Sequence, residues 1–82
     1  DAQYLKTAMR LLYEKVVPEL PQDQRTGIRM VSEGEGEAGG EPIYIIRLYL
    51  SPEETVGRYG VGQQTGSIYV QGKTGAYTLL SQ

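Results

Sequence analysis

The chain contains no cysteine and no histidine, and phenylalanine, tryptophan and asparagine are missing as well. Without cysteine, no disulfide or thiolate–metal site can brace the fold, and the redox compartment is left open. Without histidine, the commonest general base and metal ligand is gone. The two absences together exclude a zinc-finger site, a Cys–His pair and a Ser–His–Asp triad within this chain. No stretch approaches the ~20 apolar residues of a membrane-spanning helix, so no membrane partner is expected. A basic excess is missing too. Asp and Glu number 10 against 8 Lys and Arg, for a net charge of −2, whereas a general nucleic-acid binder carries a clear positive surplus.

What is present is a chain of 82 residues with seven tyrosines as its entire aromatic complement. That length makes one domain, which buries only about 60–65% of the surface its unfolded form exposes. A start at Asp1 rather than Met suggests a mature product or an excised piece.

The most apolar stretch, Glu41 to Leu50, is dense in β-branched and aromatic residues. It is bounded by Gly39-Gly40 and Ser51-Pro52, as a central antiparallel strand would be. Both of its faces are apolar. Tyr44, Ile46, Leu48 and Leu50 point one way; Ile43, Ile45, Arg47 and Tyr49 point the other. A sheet wetted on one side would alternate apolar with polar residues.

Residues 1–17 carry Leu5, Ala8, Met9, Leu12 and Val16 at helical spacing, with Tyr4, Leu11 and Tyr13 widening the stripe. Asp1 is placed to cap this helix and Pro18 to end it. Arg10 and Glu14 are spaced for an i, i+4 pair. A stiff connector, residues 18–27, leads to a short strand at Ile28–Ser32. The four glutamates and four glycines of residues 33–41 are read as a mobile acidic Gly/Glu loop. A calcium reading fails there because EF-hand spacing is absent. Ser51-Pro52-Glu53-Glu54 has the form of a capping box and predicts one helical turn over Pro52–Val56. A Gly-rich loop, residues 57–66, follows. The hairpin Ser67–Gln71 and Ala76–Leu80 closes the chain, with Ile68 and Val70 facing the helix and Tyr69 pointing away.

Three near-motifs dissolve on inspection. Gly72-Lys73-Thr74 has the ending of a phosphate-binding loop, but Ser67 stands where the first glycine is needed and a strand, not a helix, follows. Gly57, Gly60 and Gly62 have the wrong order for a dinucleotide loop. Lys73 to Leu80 offers only Tyr77 where an RNA-recognition strand needs two aromatics.

The expected fold is α+β: one N-terminal helix packed on a four-stranded, mostly meandering antiparallel sheet. Helices gripped by curled sheets recur among small inhibitors, chaperones and adaptors, an analogy of fold alone. The carboxylates fall in loops and on exposed faces rather than paired in a cleft, so no enzyme activity, metal or cofactor is expected. The expected function is a non-catalytic protein-interaction module: an inhibitor, adaptor or assembly subunit. Its contact residues would be Ile43, Ile45, Arg47, Tyr49 and Tyr69 on the uncovered sheet face, with Arg58 and Tyr59 from the Gly-rich loop. The partner would be another protein, or a second copy in a homodimer. Single-stranded nucleic acid on the same Tyr/Arg face is the alternative.

Overall fold

The computed structural model describes residues 2–81. One helix, α1 (Leu5–Val16), packs across a five-stranded antiparallel sheet of β1 (Arg29–Ala38), β2 (Glu41–Ser51), β3 (Glu54–Gly62), β4 (Ile68–Gln71) and β5 (Tyr77–Ser81). The spatial order is the chain order, so the sheet is a pure meander with β3 in the middle. The expected architecture holds, with one strand more than anticipated.

Helix α1 begins later than its apolar stripe suggests. Tyr4 is the N-cap residue without a side-chain cap, and Asp1 lies outside the described residues. Ala8, Leu12 and Val16 are buried, and Leu5, Met9 and Leu11 pack beside them. Tyr4 and Tyr13, expected to widen that face, are instead exposed. Arg10 and Glu14 do pair across one turn, at 3.4 Å. Val17 keeps right-handed helical geometry in front of Pro18, and Val17–Glu19 form a single 3₁₀ turn. Arg25 then clamps the connector by donating to the carbonyls of Pro18 (2.8 Å) and Leu20 (2.9 and 3.0 Å).

Two segments depart from expectation. Residues 33–38 are not a loop but the second half of β1, paired with the start of β2. The cause is the two-residue turn Gly39-Gly40, where φ is +60° and +79°, as a type I′ hairpin connection requires. That turn places Ala38 opposite Glu41 and zips the acidic stretch onto β2. Backbone hydrogen bonding to β2, itself paired on its other side with β3, outweighs the mutual repulsion of surface carboxylates, which water screens.

The helical turn expected over Pro52–Val56 is also absent. Ser51 pairs with Glu54 and Tyr49 with Thr55 in a second hairpin. A capping box contributes about 1 kcal/mol, too little to compete with nine residues of β3 joining the sheet. The Gly-rich residues 57–62 belong to that strand, and only 63–67 form a loop.

The main core lies between α1 and one sheet face: Ile46 and Leu48 of β2, Tyr59 and Val61 of β3, and Ile68 of β4 meet Ala8, Leu12 and Val16. A second, smaller core lies on the opposite face, where Ala38, Ile43 and Tyr69 are buried and Ile45 and Tyr77 half-cover them. Glycine makes this possible without a covering helix. A Cβ at Gly60 would sit 2.6 Å from the Ile43 Cδ1 and 3.5 Å from the Tyr77 ring. The space above β3 is thus filled by side chains leaning in from β2 and β5.

Candidate functional site

The sheet face opposite α1 carries most of the residues singled out from the sequence, but it divides them. Ile43 is fully buried and Tyr69 only 6% exposed, so neither is available for contact. Tyr59 is also buried, on the other face: it packs in the helix-side core and pairs with Ile46. There it lines an open groove of about 210 Å³ with Val16, Leu20, Val56, Val70 and Leu80. Ile45, Arg47, Tyr49 and Arg58 remain half-exposed on the opposite face. Tyr77, also half-exposed, and Leu79, 50% exposed, join them from β5. Arg29 stands over the Tyr49 ring, 6.0 Å from its centroid.

At the centre of this face is an ionic group that the sequence reading did not single out. Register slips between Ser32 and Glu35, so Glu33 and Gly34 together oppose Ile45 alone. Such a β-bulge redirects a side chain. Here Glu33 reaches across β2 to bridge two arginines. Arg47 Nε donates to Glu33 Oε2 at 3.0 Å, and Arg58 Nε lies 2.7 Å from Glu33 Oε1. The second contact is ionic only: the Arg58 Nε–H is buried and not aligned to donate, so it makes no hydrogen bond. The hydrogen bond from Arg47 is the largest influence on the Glu33 carboxyl; burial opposes it, but the charges of both arginines and the close approach of Arg58 add to it, and the net displacement is downward.

A second carboxylate is buried outright. Glu41 is only 5% exposed. It accepts from the Thr65 hydroxyl at 2.6 Å, the Gln64 and Thr65 amides at 3.0 Å each, and the Tyr69 hydroxyl at 3.2 Å. Burial pushes its pKa up, but the Thr65 hydroxyl, the two amides and Tyr69 outweigh it and the net displacement is downward. Every donor comes from the β3–β4 loop or β4, so Glu41 clasps that loop against the start of β2. Burial, and then the bond to Glu41, push the Tyr69 phenol up.

The acidic stretch is therefore not a set of equivalent solvated charges. Glu33 bridges arginines, Glu35 accepts from Gln63 Nε2 at 2.6 Å, and Glu41 is a buried clasp. Among the described residues, no three acidic side chains converge as a metal site would require. Gly72–Gly75, the stretch with a phosphate-loop ending, is a hairpin turn closed by the Gly72 amide on the Ala76 carbonyl at 2.9 Å.

The two depressed carboxyls set the acid behaviour. Both contribute stability above the ordinary value of 4.5, and that stability is lost as pH falls through their lower folded values. Urea midpoints are therefore expected to drop between about pH 5 and pH 2, and less steeply in Glu41→Gln than in wild type. Equal slopes in the two proteins would remove Glu41 from the acid transition.

Among the described residues, no helix is long and apolar enough to cross a membrane. Compared with protein-family models, curated proteins and solved structures, the chain matches none.

Proposed function

We propose that the protein is a non-catalytic protein-interaction module, an inhibitor, adaptor or assembly subunit, and that it binds through the sheet face opposite α1. The observation that carries this is one patch: half-exposed Ile45, Tyr49, Tyr77 and Leu79 around the Arg47–Glu33–Arg58 centre. Aromatic and arginine side chains are enriched at interface cores and among the residues that dominate binding energy. Here they sit on β-strands held by cores on both sides, so they meet a partner already ordered, which lowers the entropic cost of binding.

Charge favours a foreign partner over a second copy. Three guanidinium groups, Arg29, Arg47 and Arg58, stand here against the carboxylate of Glu33, on a protein of net charge −2. Two copies face to face would oppose like charges, whereas an acidic segment with apolar flanks complements the patch. Light scattering is expected to give the monomer mass across a wide concentration range.

The test is selection of displayed peptides on the immobilised protein, followed by the double variant Ile45→Ser/Tyr49→Ala. Peptides rich in Asp or Glu beside apolar residues are expected to enrich, and the double variant should lose them while keeping its cooperative thermal transition. Equal retention by wild type and variant would sink the assignment to this face.

Single-stranded nucleic acid is the second reading, favoured by Arg29 over the Tyr49 ring. Phosphate contacts are strongest at low salt. Failure of labelled oligonucleotides to bind at about 50 mM salt would end that reading.

A further inference from the structure

We infer that Arg47 and Arg58 form an oxyanion-binding fork for a carboxylate side chain of the partner, and that Glu33 fills this fork as an internal stand-in until the partner's carboxylate replaces it. This rests on the interaction reading above and names the group recognised. Two guanidinium groups from directly opposed positions on β2 and β3 converge on one carboxylate. Arginine is the residue best suited to such recognition, because its planar donors match carboxylate oxygens in pairs.

Glu33 occupies the fork imperfectly. It satisfies Arg47 Nε but leaves the buried Arg58 Nε without a hydrogen bond at 2.7 Å. In this geometry the carboxylate tethered to the bulge aligns with Arg47 and not with Arg58. A carboxylate arriving from outside is free of that tether and can align with Arg58 Nε. Its apolar neighbours would settle on Ile45, Tyr49 and Tyr77, which surround the fork.

Glu33 is also placed to leave. It belongs to the two-residue bulge with Gly34, whose φ is +107° and whose Cβ position has open space around it. Both Glu33 and Arg47 retain 26% side-chain exposure, and Arg58 34%. Exchange of one carboxylate for another at this exposure needs no rearrangement of the sheet. The stand-in also neutralises part of the fork in the free protein, which discourages adventitious anions. A tethered competitor acts at an effective concentration on the order of millimolar, and a site mostly in its closed form binds more weakly by the fraction left open.

The test follows the arginine Nε–Hε signals by NMR during titration with glutarate and, separately, with inorganic phosphate. In Glu33→Gln the Arg47 and Arg58 signals are expected to respond to glutarate at about tenfold lower concentration than in wild type, the fraction-open factor again setting the size. The Arg10 signal, from a surface pair on α1, is the internal control. Arg58→Gln in the Glu33→Gln background should abolish the response, and Arg47→Lys should weaken it. A response no larger than that of Arg10, or identical in wild type and Glu33→Gln, would overturn the proposal. So would a response to phosphate with none to glutarate, which would assign the fork to phosphate. Failure of the peptide selection would sink the interaction module without touching this titration, so the two can fail separately.

Discussion

Replacing Glu41 with glutamine will destabilise the protein by about 2–4 kcal/mol, because a hydrogen bond to a charged acceptor contributes roughly 1.5–3 kcal/mol and several are compromised together. For a chain of 82 residues this is a fall in melting temperature of about 10–25 °C. Glutamine keeps the shape of the side chain but turns one carboxylate oxygen into an amide donor. That donor must face the Thr65 hydroxyl, the Gln64 and Thr65 amides or the Tyr69 hydroxyl, all of which point at Glu41. No room exists to rotate away, since the carboxylate packs against Gly62, where even a Cβ would come within 2.5 Å of Oε2.

A double-mutant cycle with Thr65→Val should return a coupling energy within the roughly 0.5–3 kcal/mol seen for residues sharing one network. Titration of tyrosine absorbance supplies an independent readout: the upward displacement of the Tyr69 phenol should shrink in Glu41→Gln, since Glu41 is one of its causes after burial. A variant within about 0.5 kcal/mol of wild type, as ordinary surface substitutions are, would show that the clasp contributes nothing.

The other large effect concerns Ile43 and separates core from surface on one strand. Ile43→Ala is expected to cost about 2–4 kcal/mol, the usual toll of truncating a fully buried aliphatic side chain. Ile45→Ala, two residues along on the same face but half-exposed, should cost about 1 kcal/mol, in proportion to the smaller area removed from water. Ile43 carries more because its Cδ1 fills the space above Gly60 and Tyr77 packs on the same cluster, so alanine leaves a cavity there. Urea unfolding measures both: the Ile43→Ala midpoint should drop with an unchanged slope. Equal costs for the two variants would mean that the second core does not exist as described and that the whole face is open.

These two experiments also mark where the sequence could be read and where it could not. The helix, the strand β2 and the closing hairpin were legible from periodicity and turn residues, although β3 rather than β2 is the middle strand. So was the apolarity of both faces of β2. The acidic stretch misled because composition spoke for a loop while Gly39-Gly40 spoke for a hairpin, and the hairpin prevailed. Counting back from that turn puts Glu33 opposite Ile46, next to Arg47, whereas the bulge leaves Glu33 and Gly34 opposite Ile45. The pairing signal was therefore present, but the bulge that aims Glu33 was not. Ser51-Pro52-Glu53-Glu54 misled in the same direction, since a local helix start competes poorly with a strand that has a partner on each side. Ile43 and Tyr69 looked exposed because nothing in the sequence says that Ile43 and Tyr77 lean in over Gly60, on a strand that lies between theirs.

The sequence by itself determined what the protein lacks and what it must build. Without cysteine or histidine, its stability must come from apolar burial and its chemistry from carboxylates, arginines and tyrosines. The amphipathic helix and the two-faced strand already demanded a helix-on-sheet core. Tertiary structure alone decided which charges matter. Glu33 and Glu41 sit in the same stretch and have the same intrinsic chemistry. Strand pairing sends one across β2 to Arg47 and Arg58, and folds the loop donors and Tyr69 around the other. Charge is a local property of the chain, but its surroundings are set by contacts tens of residues apart, and those surroundings make one carboxylate a buried clasp and the other a bridge between two arginines.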